Sequence, residues 1–302
     1  MSSTDTALSP RGFNDVSANK LLALVDGRSI YSPLFGGVQY RGHDMVMADI
    51  ERIAIIRCPG ATLWGANAVN VVVNITTKSA HETLGSLVNV GVSDDGVTSG
   101  TVRHSFSVDQ TTDARVWTQY REHDSFLNST DPGETPMDSM IAGLRIDRRT
   151  KHNGTFTFIA DWSESRLSYE ETVFDLSPSY VTRVPTVDHS RQGSALARLQ
   201  RSFGESSSYE LQAWTEYAHA DRLSLGHRSL VSDLEFTLRH KASERHEFVA
   251  GLGTRYHTDE VDSSAQFRFE SALSQQSLFT GFVQERDHPG SRPFHHHRRN
   301  QY

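Results

Sequence analysis

A two-residue alternation of side-chain character dominates residues 84–284 and restricts what this chain can fold into. Val88, Val90 and Val92 alternate with Leu87, Asn89 and Gly91. Successive side chains of a β-strand point to opposite faces, so this period predicts strands, and no helical period of useful length follows residue 80. The pattern returns in Ala142-Leu144-Ile146, Phe156-Phe158-Ala160-Trp162, Tyr209-Leu211-Ala213, Leu234-Phe236-Leu238, Phe248-Ala250-Leu252 and Phe267-Phe269. About ten or eleven strands are predicted between residues 84 and 284.

The connections between these strands are of two kinds. Short polar turns such as Ser93-Asp94-Asp95-Gly96 contrast with longer loops predicted near 123–138 and 163–190. Short and long connections of this sort are typical of the two rims of an outer-membrane β-barrel. One strand face carries Arg, Gln, Glu, Asp and Ser, which favours a wet barrel lumen. A soluble antiparallel sandwich remains the alternative, because it shows the same alternation.

Composition excludes several classes of protein. Charged residues make up 22% and hydrophobic residues 36% of the 302 residues, which favours neither a disordered chain nor a helical membrane protein. The longest apolar runs, such as Leu21–Val25 and Ile53–Ile56, are far shorter than the roughly 20 residues of a membrane helix. A net charge of −7 disfavours nucleic acid as a partner.

Nothing in the sequence predicts catalysis, a cofactor or a functional metal site. The single cysteine, Cys58, cannot form an internal disulfide, and we expect its thiol to be inert. His295-His296-His297 could bind nickel or zinc weakly, but no carboxylate framework accompanies it. No nucleophile elbow, phosphate loop or spaced set of metal ligands is recognisable. We therefore predict that the protein is not an enzyme.

Residues 20–80 lack this sustained alternation, and their pattern predicts a small mixed α/β domain. The Asp26-Gly27 pair is a tight-turn signal between short apolar segments. The predicted order is strand Lys20–Val25, turn Asp26-Gly27, loop Tyr31–Gly37, short helix Met45–Arg52, strand Ile53–Arg57, turn Pro59-Gly60, helical turn Trp64–Asn70 and strand Val71–Thr77.

Two segments of this domain resemble the plug domain of TonB-dependent outer-membrane receptors. They are LLALVDGRSIYSPLFGGVQY, residues 21–40, and DIERIAIIRCPGATLWGANAVNVVVNITTKSA, residues 49–80. LFTGFVQ, residues 278–284, is similar to a strand midway through such barrels. The resemblance implies a plug inside a 22-stranded antiparallel up-and-down β-barrel in outer-membrane lipid. It also implies uptake of a ferric siderophore, cobalamin or similar ligand, driven by an inner-membrane energy-coupling complex.

The matching residues can be given physical roles. Asp26-Gly27 supplies a turn with positive φ, while Gly60 and Gly65 permit close backbone approach. Glu51, Arg52 and Arg57 are placed to form ion pairs with a polar barrel wall, although they could equally be solvated surface charges. The candidate structural or switch residues of the plug are therefore Asp26, Gly27, Glu51, Arg52, Arg57, Pro59, Gly60 and Gly65.

The chain also departs from the family pattern. Cys58 and Val71 stand where glycine is usual, and Val71 would be strained by about 1 kcal/mol if that position were a left-handed helix cap. The start, MSSTDTALSPRGF, does not resemble a secretory signal, and no energy-coupling box is recognisable. We predict a poorly structured segment 1–19, a partial plug 20–80, about half a barrel over 84–284 and an aberrant tail 285–302. Such a fragment would not transport by itself. The alternative is a β-rich ligand-binding or adhesion module that uses an open sheet face.

Overall fold

The computed structural model is built from two main β-sheets. It describes residues 21–38, 42–57, 71–94, 96–123, 136–151, 153–174, 181–223, 225–243, 245–264, 268 and 270–287. The N-terminal unit contains β1 (Leu21–Val25), β2 (Arg28–Ser29), β3 (Tyr31–Ser32), β4 (Gly37–Val38), β5 (Ile50–Arg57) and β6 (Val71–Thr77). The large sheet contains β7 (Gly85–Val92), β8 (Val97–Ser107), β9 (Thr112–His123), β10 (Met137–Thr150), β11 (Gly154–Phe174), β12 (Val181–Phe203), β13 (Ser207–Asp221), β14 (His227–Lys241), β15 (His246–Val261) and β16 (Leu273–Asp287).

The N-terminal unit is a four-stranded sheet in the order β2-β1-β6-β5. Strand β6 runs parallel to β1 and antiparallel to β5. The predicted turn between β1 and β2 is confirmed: Asp26 has φ 50° and Gly27 φ 84°, the positive values that a tight two-residue hairpin turn requires. Apolar side chains on both sides of β1 and β6 fill the core, in one cluster with Leu21, Ala23, Ile30, Val38 and Val71 and another with Leu22, Leu24 and Val72.

Three expectations for this unit need correction. The predicted helix Met45–Arg52 is only a 3-10 turn at Met47–Asp49, because β5 already begins at Ile50 to pair with β6. The predicted loop Tyr31–Gly37 includes the short antiparallel pair β3–β4. Val71 is not a left-handed cap: it is the first residue of β6, pairs with Leu21 and Arg57, and is 4% exposed. A β-branched residue is well suited to that position.

The large sheet contains ten antiparallel strands, each paired with its neighbours in sequence, from β7 at one edge to β16 at the other. This confirms the predicted up-and-down arrangement and an incomplete barrel among the described strands. At one end of the sheet, neighbouring strands are separated in sequence by three or four residues, at 108–111, 151–153, 204–206 and 242–245. At the other end, the strand bounds are separated by four to thirteen residues, at 93–96, 124–136, 175–180, 222–226 and 262–272.

The two faces of the large sheet differ as the alternation predicts. On the outer face Val88, Leu252, Phe279 and Val283 are each 69–80% exposed. Outward aromatic residues stand at two levels: Phe106, Phe203, Phe236 and Phe248 nearer the short turns, and Tyr120, Trp162, Tyr217 and Tyr256 nearer the longer connections. The inner face is mainly polar and contacts the N-terminal unit. This is the distribution that a lipid-facing outer surface and a wet interior produce.

The predicted loop over 163–190 is wrong. Strand β11 continues to Phe174 and β12 begins at Val181, and the two pair along their whole length. Their ends, beyond the pairing of β12 with β13 at His189, form a two-stranded ribbon. Pro185 lies in this ribbon, where β12 has lost its β13 neighbour and a missing N–H is tolerated.

Strand β16 confirms the predicted strand 278–284 and continues through 285–287, which the sequence had assigned to the tail. The predicted Phe267-Phe269 strand lies outside the described residues, as do Cys58, Trp64–Asn70 and His295–His297. Within the described ranges, no helix is long and apolar enough to cross a membrane.

Candidate functional site

The N-terminal unit is attached to the inner face of the large sheet by three sets of polar contacts. The first, here called the latch, consists of Asp49 from the 3-10 turn and Arg103, Arg115, Arg145 and Asp147 from β8, β9 and β10. Arg103 Nη1 donates to Asp49 Oδ1 at 2.5 Å, and Arg115 Nε lies 3.5 Å from Asp49 Oδ2. The side chains of these three residues are 3–12% exposed, so water screens their ion pairs little.

The latch also binds Thr77, Lys78 and Ala80, at the end of β6 and just after it. Arg145 Nη1 donates to Thr77 Oγ1 at 2.8 Å, and Arg115 Nη1 donates to the Lys78 carbonyl at 2.9 Å. Asp147 accepts from Arg145 Nε at 2.7 Å and from the Ala80 amide at 2.7 Å. Three guanidinium groups and two carboxylates therefore fix the point at which the N-terminal unit continues into the large sheet.

The second set grips the β1–β2 turn. Asp26 Oδ1 and Oδ2 accept from the Thr77 amide and hydroxyl at 2.8 and 2.7 Å, which ties the turn to the end of β6. Arg198 donates to the Asp26 carbonyl, and Gln212 Nε2 donates to the Gly27 carbonyl at 3.3 Å. A Cβ added to Gly27 would lie 2.7 Å from Arg198 Nη2. Glycine is needed here both for its φ and for this close approach.

The third set, the Arg28 cluster, joins Arg28 and His43 to Asp161, Gln192 and Glu216 of β11, β12 and β13. Arg28 forms an ion pair with Glu216, and their side chains are 7% and 15% exposed. His43 Nε2 lies 3.8 Å from Glu216 Oε1, and the His43 ring is within 3.1 Å of Gln192 Nε2. Ser194 donates to Asp161 Oδ2 at 2.6 Å.

Burial controls the protonation of this cluster. It lowers the pKa of His43 well below its ordinary value of 6.5, and the nearby Arg28 charge lowers it further. Burial also lowers the pKa of the Arg28 guanidinium, while the carboxylates of Asp161 and Asp26 oppose that change. His43 is therefore a neutral hydrogen-bonding group that lies between Arg28 and the large sheet.

Between the latch and the Arg28 cluster the two parts leave a partly open cavity of about 60 Å³. Asp26, Arg28, Asp44, Asp49, Arg115 and Asp161 contribute its polar lining, and Ile141, Ile159 and Leu196 its apolar lining. A space of this size has room for several waters, because one water needs roughly 10–15 Å³. The interface is thus held by localised polar contacts and is not tightly packed throughout.

The predicted site residues fall into three groups. Asp26 and Gly27 lie in the turn contact described above. Glu51 and Arg52 are exposed on β5, so a role in ion pairing stays a prediction for them. Arg57 ends β5, where it pairs with Val71, and Pro59, Gly60 and Gly65 lie outside the described residues. Sequence reasoning missed Arg28, His43 and Asp49; the only local signal was the position of Arg28 directly after the Asp-Gly turn.

Comparison with known proteins identifies the N-terminal unit. Residues 2–72 match the family model of the TonB-dependent Receptor Plug Domain. The N-terminal part of the chain is thus similar to a TonB-dependent receptor plug domain. An 85-residue stretch of the chain is 38% identical to the Vitamin B12 transporter BtuB of Vibrio vulnificus, which is 28% of this chain and 13% of the relative. Receptors and transporters of this kind are not enzymes.

Solved receptor structures share the fold of both the plug and the large sheet. The siderophore receptor PirA of Acinetobacter baumannii matches 94% of this chain with a TM-score of 0.68 and 15% identity. The ferripyoverdine receptor of the Pseudomonas aeruginosa outer membrane matches 89% with a TM-score of 0.66 and 15% identity. This chain covers 49% and 39% of those two proteins, and so spans less than half of their length. The large sheet therefore has the fold of a receptor barrel wall.

Proposed function

We propose that the chain is part of an outer-membrane receptor that takes up a scarce ligand by energised transport. The observation that supports this most directly is the attachment of a plug to a polar sheet face by localised contacts. A plug that blocks a pore and later moves must be held by contacts that can break one set at a time. The latch, the turn contact and the Arg28 cluster have this property, since each joins one or two short plug segments to two or three strands.

The proposed location is the outer membrane. The outward apolar residues of the large sheet and their two levels of aromatic side chains are suited to a lipid bilayer with aromatic residues at its interfaces. We expect the chain to be recovered with the detergent-resistant outer-membrane fraction, and its recovery in the soluble fraction would contradict the proposal. Faster gel migration of the unheated protein would indicate closure into a barrel.

The proposed ligand is an iron complex or a cobalamin-like molecule. Proteins similar to this chain are described as a vitamin B12 transporter, a ferric enterobactin receptor and a ferripyoverdine receptor. The proposed energy source is an inner-membrane coupling complex that pulls on the plug. Equilibrium binding to the purified chain should detect vitamin B12, ferric enterobactin or ferripyoverdine at micromolar concentration. Failure of all three to bind would count against uptake of these ligand classes.

We propose further that the plug covers residues 20–80 and the wall 84–284, and that segments 1–19 and 285–302 lie outside these units except for the last residues of β16. Within the described strands, β7 and β16 each lack a second neighbour. Unpaired strand edges are unfavourable in lipid, so transport would need further strands to close the wall. A ligand-binding or adhesion module with an open sheet face, the alternative to a receptor, would not account for a plug domain on the inner face.

A further inference from the structure

Small side chains create a second cavity on the inner face of the large sheet. It measures about 70 Å³ and lies beside plug residues 42–44. Ser139 is opposite Ser165, Ser165 opposite Ser190, and Ser190 opposite Ala220 in adjacent strands. Because four small residues adjoin across β10–β13, the sheet cannot fill the space above them. Ser163 and Ala218 extend the same hollow toward the plug.

Two side chains of this cavity have buried polar atoms without a partner in the described part of the chain. His227 is 5% exposed and lines the cavity, and its Nδ1 makes no hydrogen bond. Arg222 also lines it, and its buried Nε makes no hydrogen bond although it lies 3.5 Å from Asp188 Oδ2. Buried polar atoms of this kind are rare in proteins, and a bound molecule or ordered water usually satisfies them.

The charges around the cavity already have counter-ions. Arg222 is paired with Asp188, Arg191 with Glu164 at 3.5 Å, and Asp44 with Arg121 at 3.6 Å. An entering carboxylate would therefore find no free positive charge to offset its desolvation, and an ammonium group would face Arg222. The cavity is suited to a neutral polar group.

We propose that this cavity binds a neutral carboxamide group of the transported ligand. The Arg222 Nε–H can only donate, so it requires an acceptor such as an amide carbonyl. The hydroxyls of Ser165 and Ser190 and the Nδ1 of His227 can accept from an amide NH2. This inference rests on the proposed function, because it names the chemistry of the ligand that the receptor takes up. It predicts preference for amide-bearing ligands over anionic ones.

The test uses the full chain in detergent micelles with propionamide and propionate as probes, followed by saturation-transfer NMR. We expect propionamide to bind with a millimolar Kd, which is within reach of a ligand of this size, and propionate at least tenfold more weakly. Ala218→Leu fills the cavity and should weaken propionamide binding at least tenfold. Ala213→Leu makes the same change on the outer face of β13 and should leave it unchanged.

Circular dichroism of both variants verifies that the strands are retained. Equal or tighter binding of propionate would overturn the proposal, and so would undiminished propionamide binding to Ala218→Leu. If the unmodified chain bound vitamin B12 or a ferric siderophore but did not bind propionamide, the role of the cavity would be refuted and the proposed function would stand. If propionamide bound but vitamin B12 and the ferric siderophores did not, the cavity would be supported as an amide site and the proposed uptake function would be contradicted.

Discussion

Replacing Gly27 with alanine tests whether the large sheet holds the plug through the β1–β2 turn. The φ of 84° costs an alanine about 1–2 kcal/mol. Its Cβ would also lie 2.7 Å from Arg198 Nη2, so Arg198 must leave the Asp26 carbonyl. Losing a hydrogen bond from a charged donor costs about 1.5–3 kcal/mol. The backbone cost arises within the turn itself, and the hydrogen-bond cost arises only when the turn contacts Arg198. A control variant can therefore separate the two costs.

Gly36→Ala is that control. Gly36 lies in the β3–β4 hairpin of the same plug with φ 61°, and nothing lies within 4 Å of its added Cβ. Gly36→Ala should therefore show the backbone term alone. The assay is amide hydrogen exchange followed by mass spectrometry of peptides that cover β1 and β2. The Arg198 term should accelerate exchange in Gly27→Ala by roughly 10- to 140-fold more than in the control. Equal acceleration in the two variants would refute the reasoning that Arg198 and the turn are coupled.

Three further outcomes follow from the described contacts. The docked plug holds His43 with a depressed pKa, so the stability of docking should be constant above pH 6.5 and fall below it. The protection factors of plug amides, measured by hydrogen exchange, should decrease by up to tenfold per pH unit in that range. His43→Gln should flatten this dependence. Arg145→Met leaves Asp147 and the end of β6 without their cation, so the free energy of unfolding from urea titrations should fall by about 3–5 kcal/mol. The control, Arg228→Met on the exposed Arg228–Glu260 pair, should lower it by less than about 1 kcal/mol. In single-tryptophan variants, brominated lipid should quench the fluorescence of the outward Trp162, which is 43% exposed, and spare the inward Trp214, which is 5% exposed. Equal quenching of the two would contradict the assigned faces.

Local sequence signals predicted the elements whose geometry is locally determined. The Asp26-Gly27 turn follows from two residues that tolerate positive φ, and Val71–Thr77 was assigned as a strand from its β-branched run. The ten strands follow from alternation, which is set by the backbone itself. The loop expected over 163–190 failed because Ser, Glu and Pro interrupt the apolar period where β11 and β12 leave their neighbours and lose any need for an apolar face.

The plug attachment could not be predicted in the same way. Arg28, Glu51 and Arg52 are all charged residues on strands of the plug, yet Arg28 is buried and the other two are exposed. The difference arises from Glu216, which is 188 positions later in the chain. A single sequence does not contain the register that brings these two residues together. Asp49 illustrates the same limit, since its partners come from β8 and β9.

The long separation between the plug and its partners also has a consequence for biogenesis. Arg28 is synthesised 188 residues before the carboxylate that neutralises it. At a synthesis rate of roughly 5–20 residues per second, roughly 10–40 s separate the synthesis of Arg28 from that of Glu216. During that interval Arg28 has no Glu216 to pair with, whereas Arg103, the latch partner of Asp49, is made only 54 residues after it. Docking of the plug can therefore begin at the latch, but the Arg28 cluster can be completed only after β13 has been made.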